Sequence, residues 1–426
     1  MPLQRQPLDD DTWTENRNKE LHALRNSIND EALLLRASKL NHGIECRLDE
    51  RSPIEHRMVG GMHMHLRIQF ANSSHTWLAR ILRVNSTSFS DEFTNYILLS
   101  ECATMQWLQA LAPKVPSPRL YGFGLRNDPS NHVGVAYMLV DELPGTPLSS
   151  MNLSADGTRK VYQDLADSLF ALWAHPFDRI GSLFLGVNGK VCISATAGDR
   201  TGTLPRLGPF KDAKEYYVAW CEAYLDLIAS QQLFVRFPVN AYLIFHFLRE
   251  QARQGKWSDF EENIDRGPFY LKHMDDKGDH ILVDEDTLRI TGIIDWTFAR
   301  IVPAYEAFGP SLVTADMTDM YSAVVKRTVQ DEILAAALRE KNETLAQYAG
   351  ASDKIRRFTF ALSMGVDISW DEALKLFEGL IVTASGLQCA ETFDWNQWRA
   401  EYLARLGDSD ERLIALMNVL DSDLLD

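Results

Sequence analysis

Apolar and polar residues alternate strictly over residues 62–70, where every second side chain is hydrophobic. This period of two is typical of a β-strand with one face on the core. A turn-forming Asn-Ser-Ser sequence at 72–74 follows, and a second apolar run covers 77–84. The two segments are therefore predicted to pair as a hairpin, with Gly60 and Gly61 directly before its first strand.

Helical spacing of apolar residues predicts a helix over about 90–112, with Ser88 as its N-terminal cap. An apolar stretch at 120–123 and a predicted strand at 133–140 come next. The Asp-Glu-Leu-Pro-Gly sequence at 141–145 then interrupts the pattern, as a hinge between two lobes does.

Helical periodicity dominates beyond residue 150, and residues 1–50 form a charged, helix-favouring extension. The remaining predicted elements are helices at 161–173 and 214–230, a loop-rich insertion at 186–209, short strands at 281–283 and 290–294, and helices over 314–426. The predicted fold class is α+β, with a small β-rich N-lobe at 51–141 and a larger, mainly helical C-lobe at 142–426.

The chain of 426 residues is long enough for two lobes, and 46% of it is hydrophobic. Lys and Arg number 43 against 59 Asp and Glu, which gives a formal charge of −16. This charge disfavours nucleic acid and anionic membranes as partners, and it weakly favours a cationic substrate. An ordinary acidic surface explains most of the charge without any functional meaning.

The five cysteines are far apart and include no C-x-x-C pair, which is typical of reduced thiols in a cytoplasmic protein. The N-terminal residues contain no apolar segment of the kind found in secretory signals. The richest apolar run, at 241–248, is too short to span a bilayer. A soluble cytoplasmic protein is therefore expected.

Two charged residues are predicted to lie on apolar faces. Arg80 shares a strand face with Leu78. Glu101 lies on the apolar stripe of the next helix, at i, i+4 spacing from Ile97 and Met105. Because a buried charge costs several kcal/mol unless it is paired, Arg80 and Glu101 are predicted to meet. Such a pair is either a structural salt bridge or the device with which kinases hold nucleotide phosphates.

The stretch from 273 to 296 contains the most informative chemistry. Asp275 and Asp295 stand at the two ends of a short predicted hairpin. Phosphoryl transfer needs one carboxylate to orient the attacking hydroxyl and accept its proton, and a second to hold a magnesium ion. These two residues suit those tasks. A zinc site on His273 and His280 is a weaker alternative, because no cysteine is near and hard oxygen ligands favour Mg²⁺.

Together these residues resemble the aminoglycoside phosphotransferase family, and more closely its kinase-like members in filamentous fungi, over about residues 60–312. The matching motifs are Gly60-Gly61, Trp77-Leu-Ala-Arg80, Ser100-Glu-Cys-Ala-Thr-Met105, 116–121, Glu142-Leu-Pro-Gly-Thr-Pro147, Ile180-Gly-Ser-Leu183, Gly208-Pro-Phe210, His273-x-Asp275, Ile281-Leu-Val-Asp284 and Gly292-Ile-Ile-Asp295-Trp296. The resemblance implies a protein-kinase-like fold and transfer of the γ-phosphoryl group of ATP to a hydroxyl of a small molecule. An ordinary protein kinase fits less well, since no glycine follows Asp295-Trp296.

The resemblance also implies the nucleotide site. The residues that it assigns to ATP are Gly60, Gly61, Arg80, Glu101, Asp141, Glu142 and Leu143. The two glycines would mark the loop over the nucleotide, and the charged pair would position the phosphates. Adenine would take backbone hydrogen bonds from the last three residues.

For the chemical step, the resemblance makes Asp275, with His273 beside it, the catalytic aspartate and makes Asp295 the Mg²⁺ ligand. Family members commonly carry Asn five residues after the catalytic aspartate, where it binds a second metal, but this chain has His280. Imidazole is a poor Mg²⁺ ligand, so catalysis with one metal, or help from Asp279, is expected. The departure keeps open an alternative, a pseudokinase or nucleotide-binding interaction protein without turnover.

The phosphoryl acceptor is open among antibiotics, sugars, choline-like amines and secondary metabolites. One helix has aromatic and acidic residues that suit two interpretations. They are Tyr216, Tyr217, Trp220, Glu222 and Asp226. They would form a pocket for a cation, or they are the core and surface of one amphipathic helix, which is the better fit.

Overall fold

The computed structural model of the protein describes residues 10–49, 58–71, 74–83, 90–198, 204–260, 265–363, 368–385, 393–407 and 409–423. Several predicted features lie outside these residues: the helix cap Ser88, the turn residues Asn72 and Ser73, Val84 and Cys389. The helix that follows is capped by Ser90, whose side chain accepts a hydrogen bond from the Phe93 amide.

The N-terminal part is built on a five-stranded antiparallel sheet. Its strands are β1 (Cys46–Leu48), β2 (His63–Phe70), β3 (Thr76–Leu82), β4 (Leu120–Gly124) and β5 (Tyr137–Asp141), in the order β1-β2-β3-β5-β4. The predicted hairpin of β2 and β3 is present, with His65 opposite Arg80. Strand β5 begins at Tyr137 rather than at 133, because Gly134 takes a positive φ of 89° that ends extended backbone.

Helices cover both faces of this sheet. Helices α1 (Asp10–Asn26) and α2 (Asp30–Leu40) lie on one face, where Leu33 packs with Met64 and Ile81. Helix α3 (Asp91–Leu111) lies on the other, where Met105 shares a core with Met138. The helices of the N-terminal extension therefore bury apolar residues on the sheet.

The rest of the described chain is mainly helical. Its helices are α4 (Ala155–Trp173), α5 (Ala213–Ala229), α6 (Pro238–Arg253), α7 (Ala304–Ala307), α8 (Met317–Met320), α9 (Val329–Arg339), α10 (Glu343–Ala349), α11 (Lys354–Leu362), α12 (Trp370–Ser385), α13 (Trp395–Leu406) and α14 (Glu411–Asp423). Its strands are β6 (Thr146–Pro147), β7 (Ser182–Leu185), β8 (Val191–Ser194), β9 (Phe269–Lys272), β10 (Ile281–Val283), β11 (Ile290–Ile293) and β12 (Arg300–Pro303). The predicted α+β fold class, with a β-rich N-terminal part and a larger helical remainder, is confirmed.

Three small antiparallel sheets join these elements. Strand β10 pairs with β11, as predicted, and also with β6, which follows the hinge segment. Strand β9 pairs with β12, and β7 with β8. The insertion predicted to be loop-rich, at 186–209, contains one short strand, β8, which a turn at Gly189 returns antiparallel to β7. A strand of four residues is too short for its alternation to be detected in the sequence.

None of the helices in the described ranges combines the length and the apolar composition that crossing a lipid bilayer requires.

Candidate active site

Arg80 lies at the centre of a buried network between β3, α3 and the segment after β11. Its Nη1 donates a hydrogen bond to Glu101 Oε1, so the predicted ion pair is present. Its Nη2 donates to Asp295 Oδ1 at 2.6 Å. Burial lowers the pKa of Arg80, but the two carboxylates outweigh it and leave that pKa raised. Arg80 is therefore a permanent buried cation that joins the sheet to the segment containing Asp295.

Asp295 is held in an unusual backbone conformation. Its φ is +62°, in the left-handed region that few residues other than glycine adopt. The Thr297 hydroxyl is 2.7 Å from Asp295 Oδ1 and 2.8 Å from Glu101 Oε2, so it bridges the two acids. Burial raises the pKa of Asp295, but the neighbouring Arg80 overcomes this and holds it below its usual range. Asp295 is thus an ionised carboxylate with one oxygen engaged.

His273 is fixed by two backbone contacts. Its Nε2 lies 2.8 Å from the Ile294 carbonyl and donates to it, while its Nδ1 accepts a hydrogen bond from the Asp275 amide at 3.2 Å. Burial lowers the pKa of His273, which favours this neutral form. Both ring nitrogens of His273 bond to the backbone, so neither is available to a substrate. We therefore propose that His273 positions Asp275 and takes no part in proton transfer.

Asp275 and Asp295 approach the same imidazole. His280 Nδ1 is 2.9 Å from the Asp275 carbonyl oxygen and 3.7 Å from its Oδ2, and His280 Nε2 is 3.6 Å from Asp295 Oδ2. Lys277 Nζ lies 3.3 Å from Asp275 Oδ1. The structure therefore brings together the two predicted carboxylates and His280, and it adds a lysine that sequence analysis did not identify.

Arg80, Asp295 and His280 border a cleft of about 340 Å³, whereas Asp275 and Lys277 lie behind His280 and do not line it. Nine of the predicted site residues line it: Gly60, Gly61, Arg80, Glu101, Asp141, Glu142, Leu143, His280 and Asp295. Leu78, Val140 and Leu282 give its inner end apolar walls. The cleft thus has a charged end and an apolar end, as a site for a nucleotide requires.

The hinge offers one backbone donor to this cleft. The Asp141 amide bonds to the Arg119 carbonyl at 3.2 Å, and the Glu142 amide to the Thr76 carbonyl at 3.1 Å. Within the part of the chain that the structure describes, the Leu143 amide has no backbone acceptor. Of the three residues predicted to contact adenine, Leu143 is therefore the one whose N–H is available.

Asp279 lies apart from the cleft. Its side chain is 57% exposed and 4.0 Å from Lys277 Nζ. It lines a second cavity of about 1010 Å³, between the segment 148–162 and the segment 312–330. In the described residues no group of three or more His, Cys, Asp or Glu side chains is arranged to hold a metal ion. A metal in the cleft would thus have two protein ligands, Asp295 and His280, and oxygens of its substrate.

The aromatic and acidic residues of α5 do not form a pocket for a cation, the weaker of the two interpretations. Tyr216, Tyr217 and Trp220 are buried in the main core. Arg300 already stacks on Trp220, with its guanidinium carbon 4.0 Å from the ring centre. Glu222 is paired with Arg412 at 2.8 Å and with two further arginines. The favoured interpretation, core and surface of one amphipathic helix, is confirmed.

Sequence analysis missed three polar residues of the network. Thr297 bridges two acids, Lys277 contacts Asp275, and His63 Nδ1 lies 3.1 Å from Arg80 Nη2. Only His63 had a usable signal, since it opens the strand that follows the two glycines. The positions of Thr297 and Lys277 depend on irregular backbone, which has no period.

A β-sheet joined by a hinge to a helical body, with a buried Arg–Glu pair bound to one aspartate and a histidine that joins this aspartate to a second, resembles the architecture of kinase-like phosphotransferases. A sequence model of the phosphotransferase enzyme family, APH, matches residues 81–349, which is more than half of the chain. The chain belongs to this family. The resemblance to aminoglycoside phosphotransferases predicted from the motifs is thereby confirmed.

Several solved structures are similar to the chain at low identity. An ADP-bound aminoglycoside phosphotransferase is 11% identical, with a TM-score of 0.43, over 84% of this chain and 99% of its own. The GDP complex of aminoglycoside 2′-phosphotransferase-IIIa is 14% identical, with a TM-score of 0.44, over 84% of this chain and 98% of its own. An ethanolamine kinase from Plasmodium vivax is 12% identical, with a TM-score of 0.42, over 84% of this chain and 81% of its own. No curated protein sequence matches the chain.

Proposed function

We propose that the protein transfers the γ-phosphoryl group of ATP to a hydroxyl group of a small molecule. The observation that carries this proposal is the meeting of Arg80, Glu101 and Asp295 at one end of a cleft with apolar walls at the other. In such a cleft the phosphates lie at the charged end and the purine at the apolar end. The membership of the phosphotransferase family supports the same function.

The purine is proposed to lie between Leu78 and Leu282, with Val140 behind it and the Leu143 amide as its hydrogen-bond donor. At the other end, Arg80 is the cation that faces the phosphates. Glu101 is 1% exposed and fixes the guanidinium from behind. This arrangement would place the γ-phosphate beside Asp295 and His280, at the side of the cleft nearest to Asp275.

Asp275 is proposed to orient the acceptor and take its proton. As the acceptor oxygen bonds to the γ-phosphorus, the bond between that phosphorus and the β-phosphate oxygen breaks, and ADP leaves. The acceptor proton moves to the Asp275 carboxylate, which Lys277 and the backbone contacts of His273 hold in place. A divalent metal held by Asp295 and His280 would, when bound, supply positive charge against the phosphate oxygens.

The second cavity is the proposed acceptor site. Lys277, two residues beyond Asp275, lies on its wall together with Asp279. Asp316 and Asp319 add acidic groups, and Lys326 pairs with Asp319 at 3.1 Å. Because its acids face bases, the cavity suits a neutral hydroxylated molecule better than a polycation.

The cytoplasm, which supplies ATP, is the proposed compartment, and four cysteines in the described residues are free thiols.

The substitution Asp275→Asn tests this function. We expect ADP release from ATP, measured with sugars, amino alcohols and aminoglycosides as trial acceptors, to fall to background. Nucleotide affinity should stay within about twofold of wild type, because Asp275 is proposed to contact the acceptor and does not line the nucleotide cleft. Asp286→Asn, in the exposed turn between β10 and β11, is the matched control and should retain turnover.

Two results would contradict the proposal. If the Asp275→Asn variant kept wild-type turnover with the same acceptor, Asp275 would not be the base. If wild type bound ATP but turned over none of the acceptors above the rate of the variant, the alternative of a nucleotide-binding protein without turnover would replace the kinase.

A further inference from the structure

We propose that the metal of this cleft is bound through one nitrogen and one oxygen, His280 Nε2 and Asp295 Oδ2, and that the site therefore selects Mn²⁺ over Mg²⁺. The inference rests on the phosphotransferase function proposed above and departs from the Mg²⁺ site that the resemblance implies. It is specific to this chain, because it depends on an imidazole at a position where an amide is usual in the family.

The first observation is the tautomer of His280. Its Nδ1 lies 2.9 Å from the Asp275 carbonyl oxygen, which can only accept a hydrogen bond. The proton of the neutral ring is therefore on Nδ1, and Nε2 has a lone pair. Histidines that bind metals through one nitrogen usually donate the other N–H to a carbonyl or carboxylate in this way. The backbone of Asp275 thus prepares Nε2 as a ligand.

The second observation is the distance between the two ligand atoms. His280 Nε2 and Asp295 Oδ2 are 3.6 Å apart. Two atoms that each lie about 2.1 Å from one metal ion are separated by about 3.0 Å at a 90° angle and by about 3.6 Å at 120°. The pair therefore accommodates a metal ion with little movement of either side chain.

The third observation is that the carboxylate is oriented from behind. Asp295 Oδ1 accepts from Arg80 at 2.6 Å and is 2.7 Å from the Thr297 hydroxyl. These contacts turn the other oxygen, Oδ2, toward His280. They act as the supporting contacts that metal-binding carboxylates need. Asp295 cannot rotate away from His280 without breaking an ion pair with a buried arginine.

The ligand chemistry then decides between metals. Mg²⁺ requires nearly octahedral oxygen ligands and releases its water reluctantly, so an imidazole in place of an amide oxygen weakens its binding. Carboxylate, phosphate and water suit Mn²⁺ as they suit Mg²⁺, and Mn²⁺ is the weakest-binding member of the first-row series whose ions also bind nitrogen ligands. A mixed site with one imidazole, one carboxylate and phosphate oxygens therefore favours Mn²⁺ over Mg²⁺.

A proton could occupy the same place. An imidazolium at His280 would pair with Asp295 Oδ2 at 3.6 Å and with Asp275 Oδ2 at 3.7 Å, and the histidine would then substitute for a metal rather than bind one. This alternative predicts a site with no nitrogen ligand. Spectroscopy on bound Mn²⁺ separates the two, because a strong isotropic hyperfine coupling to ¹⁴N requires direct coordination.

The test is electron spin-echo spectroscopy of full-length protein with Mn²⁺ and a non-hydrolysable ATP analogue. We expect modulation from one directly bound ¹⁴N, which should disappear in protein labelled with ¹⁵N-histidine and in His280→Asn. His65→Gln, at another histidine of the same cleft, is the matched control and should retain the modulation. The preference for Mn²⁺ over Mg²⁺, measured by competition, should fall at least about tenfold in His280→Asn.

The outcomes are distinguishable. Binding of the Mn²⁺–nucleotide complex without ¹⁴N coupling, or with equal strength for Mg²⁺, would overturn the nitrogen ligand and leave the proposed function intact. Absence of nucleotide binding with either metal would overturn both. The ¹⁵N-histidine comparison uses wild-type protein, so the proposal stays testable even if His280→Asn fails to fold.

Discussion

Replacement of Glu101 by Gln measures how much the buried ion pair with Arg80 contributes to the fold. The Arg80 side chain is 9% exposed and that of Glu101 is 1% exposed. Removing one partner of a buried pair costs about 3–5 kcal/mol, because the remaining charge loses its compensation. Asp295 still pairs with Arg80 in the variant. The expected loss is therefore at the lower end, about 3 kcal/mol.

This loss converts into a measurable shift in melting temperature. At about 2.1 cal/mol/K per residue, unfolding of 426 residues has an entropy of about 0.9 kcal/mol/K, so 3 kcal/mol corresponds to about 3 °C. Glu92→Gln is the matched control, since Glu92 is 75% exposed and its partner Arg206 39% exposed, and such a surface pair is worth at most about 1 kcal/mol. Differential scanning calorimetry of the three proteins at neutral pH gives the comparison. Equal shifts for the two variants, or no shift for Glu101→Gln, would refute the assignment of a stabilising buried pair.

Two further predictions concern the loop over the cleft and the response to acid. In Gly61→Ala the added Cβ meets no protein atom within 4 Å, so the melting temperature should stay within about 1 °C of wild type. The Kd for ATP, measured calorimetrically, should rise several-fold. An unchanged Kd would show that Gly61 does not belong to the nucleotide site. Burial, together with Arg249, lowers the pKa of His246 to about 4. Between pH 6.5 and pH 4 the unfolded chain therefore binds a proton at His246 that the folded chain does not bind. The free energy of unfolding is highest above pH 6.5 and falls as the pH is lowered toward 4. His246→Gln should flatten the fall in melting temperature over this window, and an unchanged slope would contradict the explanation.

The sheet and the Arg80–Glu101 contact could be predicted because they produce periodic signals. Strand β2 alternates with a period of two, and Glu101 interrupts an apolar stripe with a helical period. A buried charge on an apolar face needs a partner of opposite charge. The next element with a charge on its apolar face is α3, so Glu101 could be inferred as the partner of Arg80. Asp295 was identified for a similar reason, because it interrupts an apolar context, whereas Asp275 was identified from its motif with His273.

The parts that could not be predicted depend on irregular backbone. Asp279 and His280 are adjacent, yet one lines the second cavity and the other lines the cleft. Both residues lie in a single turn of 3₁₀ helix, Gly278–His280, from which their side chains point in different directions. Such a short turn has no periodicity that the sequence would show. Thr297 contacts Glu101 from an irregular segment in which Asp295 and Phe298 both have a positive φ. Asp279, which was expected to assist in binding the metal, therefore lines the second cavity and not the cleft.

The central claim is that the cleft binds a metal–nucleotide complex through Arg80 and Asp295. Isothermal titration of the purified protein with a non-hydrolysable ATP analogue, in Mg²⁺, in Mn²⁺ and in EDTA, tests it most directly. We predict binding in the micromolar to millimolar range that requires a divalent metal and is weakened at least about tenfold by Asp295→Asn. The absence of binding under all three conditions, or binding of equal strength in EDTA and in Asp295→Asn, would contradict the claim.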